Sequence, residues 1–255
     1  MLLQRKLGYT HTMRHKQAAW ILTALFLFAS NISVSWGWQQ SLHVWDMSAP
    51  PTVQSFNALD KMKEQSVPAT DIVKAMAISS GDWVADVGAG NGYYSQRLSE
   101  LVGPNGRVFA EDISESILNL LNQRVKLFNL RNIEVVKGDA DDPKLPDASL
   151  AAVLIVDAYH HFSQYQSMLE HILRALKPGG RLIIADYSLS DHRSQTREEQ
   201  LKHHEIDPGL VRTELEQIGF KVLKCEDPFV KRIPELKHSS TFHADMWLMT
   251  AVRPN

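Results

Sequence analysis

Two apolar rhythms alternate along the chain between residues 69 and 252. Continuous apolar runs predict short buried strands at Trp83–Val87, Val108–Ile113, Ile133–Asp139, Ala151–Ala158 and Arg181–Tyr187. Helically spaced apolar positions fall between or beside them. The predicted helices are Ala69–Ile78, Tyr93–Leu101, Gln164–Leu176 and one N-capped by Ser114 that runs to about Asn129. A helix over Pro208–Ile218 stops at Gly219, and strands follow at FKVLKCE and Thr241–Val252. The stretch Ser188–Ile206 is polar with weak helical character, and residues 38–66, with Pro50-Pro51, read as a linker or lid. Strands that alternate with helices and are apolar throughout imply a mostly parallel sheet covered on both faces, an α/β doubly wound domain over residues 67–255.

The first residues break this rhythm. Arg5, Lys6, Arg14 and Lys16 precede the apolar run Ala18–Ala29, and Ser33, Ser35 and Gly37 supply small residues for cleavage before Trp36 or Trp38. Residues 1–37 are therefore expected to be a signal peptide that sends the protein to the periplasm or beyond. Two rivals stay open: an uncleaved anchor over residues 18–34, and a buried core helix, which sits poorly beside so many basic residues. Membrane contact is expected only through this segment.

Composition narrows the function classes. Apolar residues make up 44% and charged residues 22%, which is ordinary for a globular domain. The 27 basic and 29 acidic residues form no basic block, so a nucleic-acid partner is not expected. The single cysteine, Cys225, excludes an intramolecular disulfide and reads as a small apolar strand residue.

The candidate chemistry begins at VADVGAGNGYYSQ, Val84–Gln96, a glycine-rich strand-to-helix turn. The dinucleotide fingerprint needs a third glycine where Tyr93 stands, which weakens an NAD reading. The pattern Asp86-Val87-Gly88-Ala89-Gly90-Asn91-Gly92, followed by VFAEDIS, KGDADDPKLP, LIVDAYHHF and LRALKPGGRLIIADY in that order, resembles the class I S-adenosylmethionine-dependent methyltransferases. The resemblance runs from about Ile72 to Phe220 and implies a seven-stranded Rossmann-like sheet whose last strand is antiparallel. It also implies S-adenosylmethionine as cofactor and methyl transfer to an acceptor, expected to be a small molecule.

On that resemblance the cofactor residues are Asp86, Gly88, Ala89, Gly90, Gly92, Tyr93, Asp112, Ile113, Asp139, Ala140 and Asp157. Glycines let the backbone approach the ligand's amino-acid end, Asp112 accepts both ribose hydroxyls, and Asp139 accepts from the adenine amino group. Asp86 organises the loop or meets the ligand's ammonium. His160 and His161, beyond the fourth strand, are the candidate bases. The (Asp/Asn)-Pro-Pro-(Tyr/Phe) sequence of amino-group methyltransferases is missing there, which argues against adenine, cytosine or glutamine as acceptor. Eleven histidines invite a metal reading, yet the pairs His160-His161 and His203-His204 are adjacent, so their members should point apart, and no metal site is expected. The insertion Ser188–Asp207, which carries His192, is expected to line the acceptor pocket with residues 45–78. An NAD-type oxidoreductase and a non-catalytic binding module remain as alternatives.

Overall fold

The computed structural model describes residues 50–65, 67–231 and 244–255. Residues 1–37 and the first three residues of the expected last strand, Thr241–His243, lie outside them. Among the described residues no helix is long and apolar enough to cross a membrane.

In chain order the chain forms helices α1 (Val53–Glu64) and α2 (Ala69–Ala75), strand β1 (Trp83–Val87), α3 (Tyr93–Val102), β2 (Arg107–Asp112), α4 (Glu115–Leu127), β3 (Ile133–Lys137) and β4 (Leu150–Val156). A 3-10 turn (Tyr159–His161), α5 (Tyr165–Ala175) and β5 (Leu176–Ser188) follow. The rest is α6 (Arg197–Lys202), α7 (Pro208–Ile218), β6 (Lys221–Val230) and β7 (Asp245–Val252). The strands make one sheet in the order β3-β2-β1-β4-β5-β7-β6. The pairs from β3 to β5 are parallel, while β7 runs antiparallel to both β5 and β6. This is the α/β doubly wound sheet the apolar runs predicted.

Period-two alternation sends each central strand into two cores. Val153 and Ile155 of β4 join Leu182 and Ile184 of β5 on one face, whereas Ala152, Leu154, Ile183 and Ala185 fill the other. Both faces are buried, so the strands read as unbroken apolar runs. Trp247 of β7 is fully buried and donates its indole N–H to the Ile206 carbonyl at 2.9 Å, which pins the insertion after β5 to the sheet.

Three local features depart from the sequence reading. The supposed linker contains α1, started by a capping box in which Thr52 and Ser55 cap each other's backbone N–H. Phe56 is its one buried residue, so α1 carries almost no apolar period. Long-range pairing holds it: Arg124 of α4, fully buried, grips both Asp60 oxygens at 2.7 and 2.9 Å and lies 4.4 Å from the Phe56 ring centre. Glu64 pairs with Arg97 of α3. Helix α2 ends at Ala75, ahead of a left-handed Ala77 at φ +49°. Ser114 does occupy the N-cap of α4, but its side chain makes no cap bond; Asp112 accepts its N–H instead, at 2.9 Å.

Candidate active site

The chain reverses its winding between β1 and β4, and the crevice beyond their carboxyl ends is where open α/β sheets bind ligands. Two loops border it: the glycine loop after β1 and the turn Asp157–His161 after β4. They touch. A Cβ on Gly88, which has φ +71°, would lie 2.6 Å from the Ala158 Cβ, and one on Gly92, at φ +83°, would lie 2.5 Å from Leu121 Cδ1. The sequence suggested ligand approach as the reason for these glycines; at these two positions close packing within the protein already demands them.

The end of β2 braces the loop. Gly90 N–H donates to Asp112 Oδ2 at 3.2 Å, Gly88 N–H to Glu111 Oε2 at 3.3 Å, and Ala89 N–H to the Glu111 carbonyl at 2.7 Å. Burial raises the Asp112 pKa against the pull of the Ser114 and Gly90 N–H groups. Glu111 is 2% exposed, and burial, with Asp112 adding to it, pushes its pKa up to about 8. Its Oε1 has no hydrogen-bond partner, and a Cβ on Gly138 would fall 2.0 Å from that atom. The sequence reading missed Glu111, although an acid inside the apolar run VFAEDI is itself a signal.

Two further carboxylates face the crevice. Asp86 is 2% exposed and accepts the Ser95 hydroxyl proton at 2.6 Å, so it organises the start of α3. Burial pushes its pKa up to about 6. Asp157 closes β4 in a left-handed conformation, φ +56°, and burial raises its pKa to about 6 against the opposing pull of His160. Lys63 of α1 enters this group, with Nζ 5.3 and 5.1 Å from the ring centres of Tyr93 and Tyr94. Burial lowers its pKa while Asp157 and Asp86 pull it back up. Nothing in the polar sequence of α1 marked Lys63.

The remaining expected residues divide. Tyr93 is buried at the start of α3 with Arg97 stacked 3.7 Å from its ring centre. Ile113 leaves an apolar side chain 57% exposed after Asp112. Asp139 and Ala140 are exposed, and the Asp139 carboxylate is already paired with Lys144 Nζ at 3.0 Å.

The pair His160-His161 overturns the expectation that adjacent members point apart, whereas His203 and His204 do turn to different neighbours. The 3-10 turn brings the His160 and His161 rings to 4.0 Å, and His204, from the insertion, lies 5.6 and 5.5 Å from them. His160 is 1% exposed, with Nδ1 2.9 Å from Asp186 Oδ1 and its backbone N–H donated to Asp186 Oδ2 at 3.1 Å. Burial opposes charge on His160, but Asp186 outweighs it and raises the pKa. His203 instead stacks on His192 at 4.3 Å. Asp186 was missed too, though it is an acid inside LIIADY.

Known proteins share this fold. Residues 84–180 match a family described as a methyltransferase domain. A solved S-adenosylmethionine-dependent methyltransferase from Aquifex aeolicus, 25% identical, superposes over 75% of this chain and 96% of its own with a TM-score of 0.58. Over residues 84–180 the chain carries a methyltransferase domain of the class I S-adenosylmethionine-dependent kind. The demethylmenaquinone methyltransferase of Listeria welshimeri is 29% identical over 59% of this chain and 64% of its own length. The ubiquinone/menaquinone biosynthesis C-methyltransferase of Pseudomonas fluorescens is 32% identical over 46% of each chain. The chain thus spans just under two thirds of the length of the Listeria relative. The [4+2]-cyclase SpnF, 16% identical with a TM-score of 0.60 over 82% of this chain and 86% of its own, shares the fold alone.

S-adenosylmethionine, the cofactor of this methyltransferase family, carries a sulfonium and an ammonium. The crevice suits such a cation, because Asp86 and Asp157 set two carboxylates beside the glycine loop and burial opposes their charge until a cation faces them. These two acids, the glycine loop and Asp112 are the residues that would hold it.

Proposed function

We propose that this protein transfers a methyl group from S-adenosylmethionine to a small-molecule acceptor. The observation that carries the reading is the glycine loop braced on Asp112 at the sheet's switch point, with buried Asp86 and half-buried Asp157 beside it. When bound, the donor supplies an electrophilic methyl on sulfur. The protein's share is then alignment and exclusion of water, worth several kcal/mol in a two-substrate step. Asp112 takes the ribose hydroxyls and, with the donor in place, still keeps its bond from Ser114 N–H. Helix α1, held by Asp60–Arg124, sets Lys63 against Tyr93 and Tyr94 at the end of the loop, and the turn Asp157–His161 with the Ser188–Asp207 insertion receives the acceptor.

Calorimetry of the protein with S-adenosylmethionine, S-adenosylhomocysteine and NAD tests the reading, followed by a methyl-transfer assay on demethylmenaquinone, the acceptor that the relatives' names suggest. Binding of NAD alone overturns it. Donor binding without transfer to any of a panel of small acceptors favours the non-catalytic alternative. The basic, apolar and small-residue order of residues 1–37 supports an exported protein, for which N-terminal sequencing from the native host is the test.

A further inference from the structure

We propose that His160, His161 and His204 form a binding site for a divalent cation of the zinc class, at the carboxyl end of β4. One ring nitrogen from each residue lies within 4.8 Å of the others. Zinc–imidazole bonds are about 2.0–2.1 Å, so small side-chain rotations close the trio on one ion. Two of these rings also have a nitrogen with no other use: His160 Nε2 and His204 Nδ1 are buried and without hydrogen-bond partners. A general base would need one such nitrogen. Three imidazoles gathered with two bare nitrogens are better explained by a shared ligand.

The surroundings are those of a metal site. Asp186 accepts at His160 Nδ1, 2.9 Å away, which orients the ring and leaves Nε2 without a protein partner. Asp157 and Asp186 each place a carboxylate oxygen within 4.8 Å of a His160 ring nitrogen, so negative charge lies beside the trio. His204 is placed firmly: it sits at φ +56° after α6, and the neighbouring Ile206 is bonded to Tyr187 and Trp247. His161 is exposed and gives the ion a path inward. A set of three nitrogens selects zinc, cobalt, nickel or copper over magnesium and calcium, which take oxygen ligands. Three protein ligands leave a fourth position open, as in sites where a metal polarises a bound oxygen. This site stands whether or not the methyl-donor reading holds.

The test is titration of chelator-treated, full-length protein with Co²⁺, followed by visible absorption and then displacement with Zn²⁺. The expected result is one Co²⁺ per chain in a four- or five-coordinate spectrum, displaced by equimolar Zn²⁺. His204→Ala and His161→Ala should each weaken Co²⁺ at least tenfold, and Asp186→Asn, which weakens both the bond to the His160 ring and the hold on its backbone, about 10–100-fold. His203→Ala should change affinity less than twofold. S-adenosylhomocysteine binding, measured on the same samples, reports folding; its loss in every sample, wild type included, counts against the donor reading and leaves this one to the cobalt data. If His204→Ala unfolds, His204→Gln replaces it. No stoichiometric Co²⁺ binding, or binding unchanged in both His204→Ala and His161→Ala, overturns the proposal.

Discussion

Asp186 holds His160 at two points, accepting at the ring Nδ1 at 2.9 Å and from the backbone N–H at 3.1 Å. One carboxylate from β5 thereby fixes both the turn after β4 and the direction of a buried imidazole. The orientation of the site is set by strands adjacent in the sheet.

The His160 pKa tests this grip. Burial by itself lowers a histidine pKa, and the Asp186 carboxylate reverses that. Asp186→Asn should therefore drop the His160 pKa below the ordinary histidine value, read from ring-proton shifts in an NMR titration. An unchanged titration would show that Asp186 is not the cause.

Asp112 carries two roles that one substitution separates poorly. Asp112→Ala removes the acceptor of Gly90 and Ser114 N–H, so ligand-free stability should fall by about 1–3 kcal/mol in denaturant titrations. Donor affinity should also fall at least tenfold, since bonds to a charged acceptor are worth about 1.5–3 kcal/mol each. Lower stability with donor affinity within twofold of wild type would remove the ribose role and leave the loop brace.

Helix α1 depends on Asp60. Arg124 is fully buried, and Asp60→Ala leaves it with Gln96 Oε1 at 3.1 Å as its remaining side-chain acceptor. The expected loss is about 3–5 kcal/mol, with faster proteolysis inside α1. Adding Arg124→Met should recover part of that loss, because the stranded charge is gone. A double variant as unstable as the sum of both singles contradicts the charge argument.

Glu111 makes stability fall as pH rises. Its folded pKa is about 8 against an ordinary 4.5, so the folded state binds the extra proton. The stabilising contribution is complete below about pH 4.5 and lost as pH climbs through about 8. Glu111→Gln mimics the protonated form and keeps an acceptor for Gly88 N–H. It should melt higher than wild type at pH 8.5, by an amount of order a few kcal/mol, and flatten the slope between pH 5 and 8. A parallel pair of stability–pH curves would mean that Glu111 does not titrate in this window.

The sequence alone determined the strands and their order of chemistry. Central strands such as β4 are buried on both faces, so every position is apolar and the run is visible without neighbours. Helix α7 was equally plain, because Asp207, Pro208 and Gly219 are local start and stop signals. Asp112 could be singled out as the acid ending β2 because a strand's end and its closing acid are contiguous. Tertiary structure decided the rest. Helix α1 buries a single residue and is held by an arginine from α4, so no local pattern announced it. Lys63 meets Asp86 and Asp157 only because that helix is docked. The histidine trio joins a turn after β4 to an insertion after β5, with the adjacent pair turned together by 3-10 geometry that the assumed helix or strand did not allow. Local periodicity records which faces a residue shows to the core; which distant charges and rings meet there depends on how the elements dock.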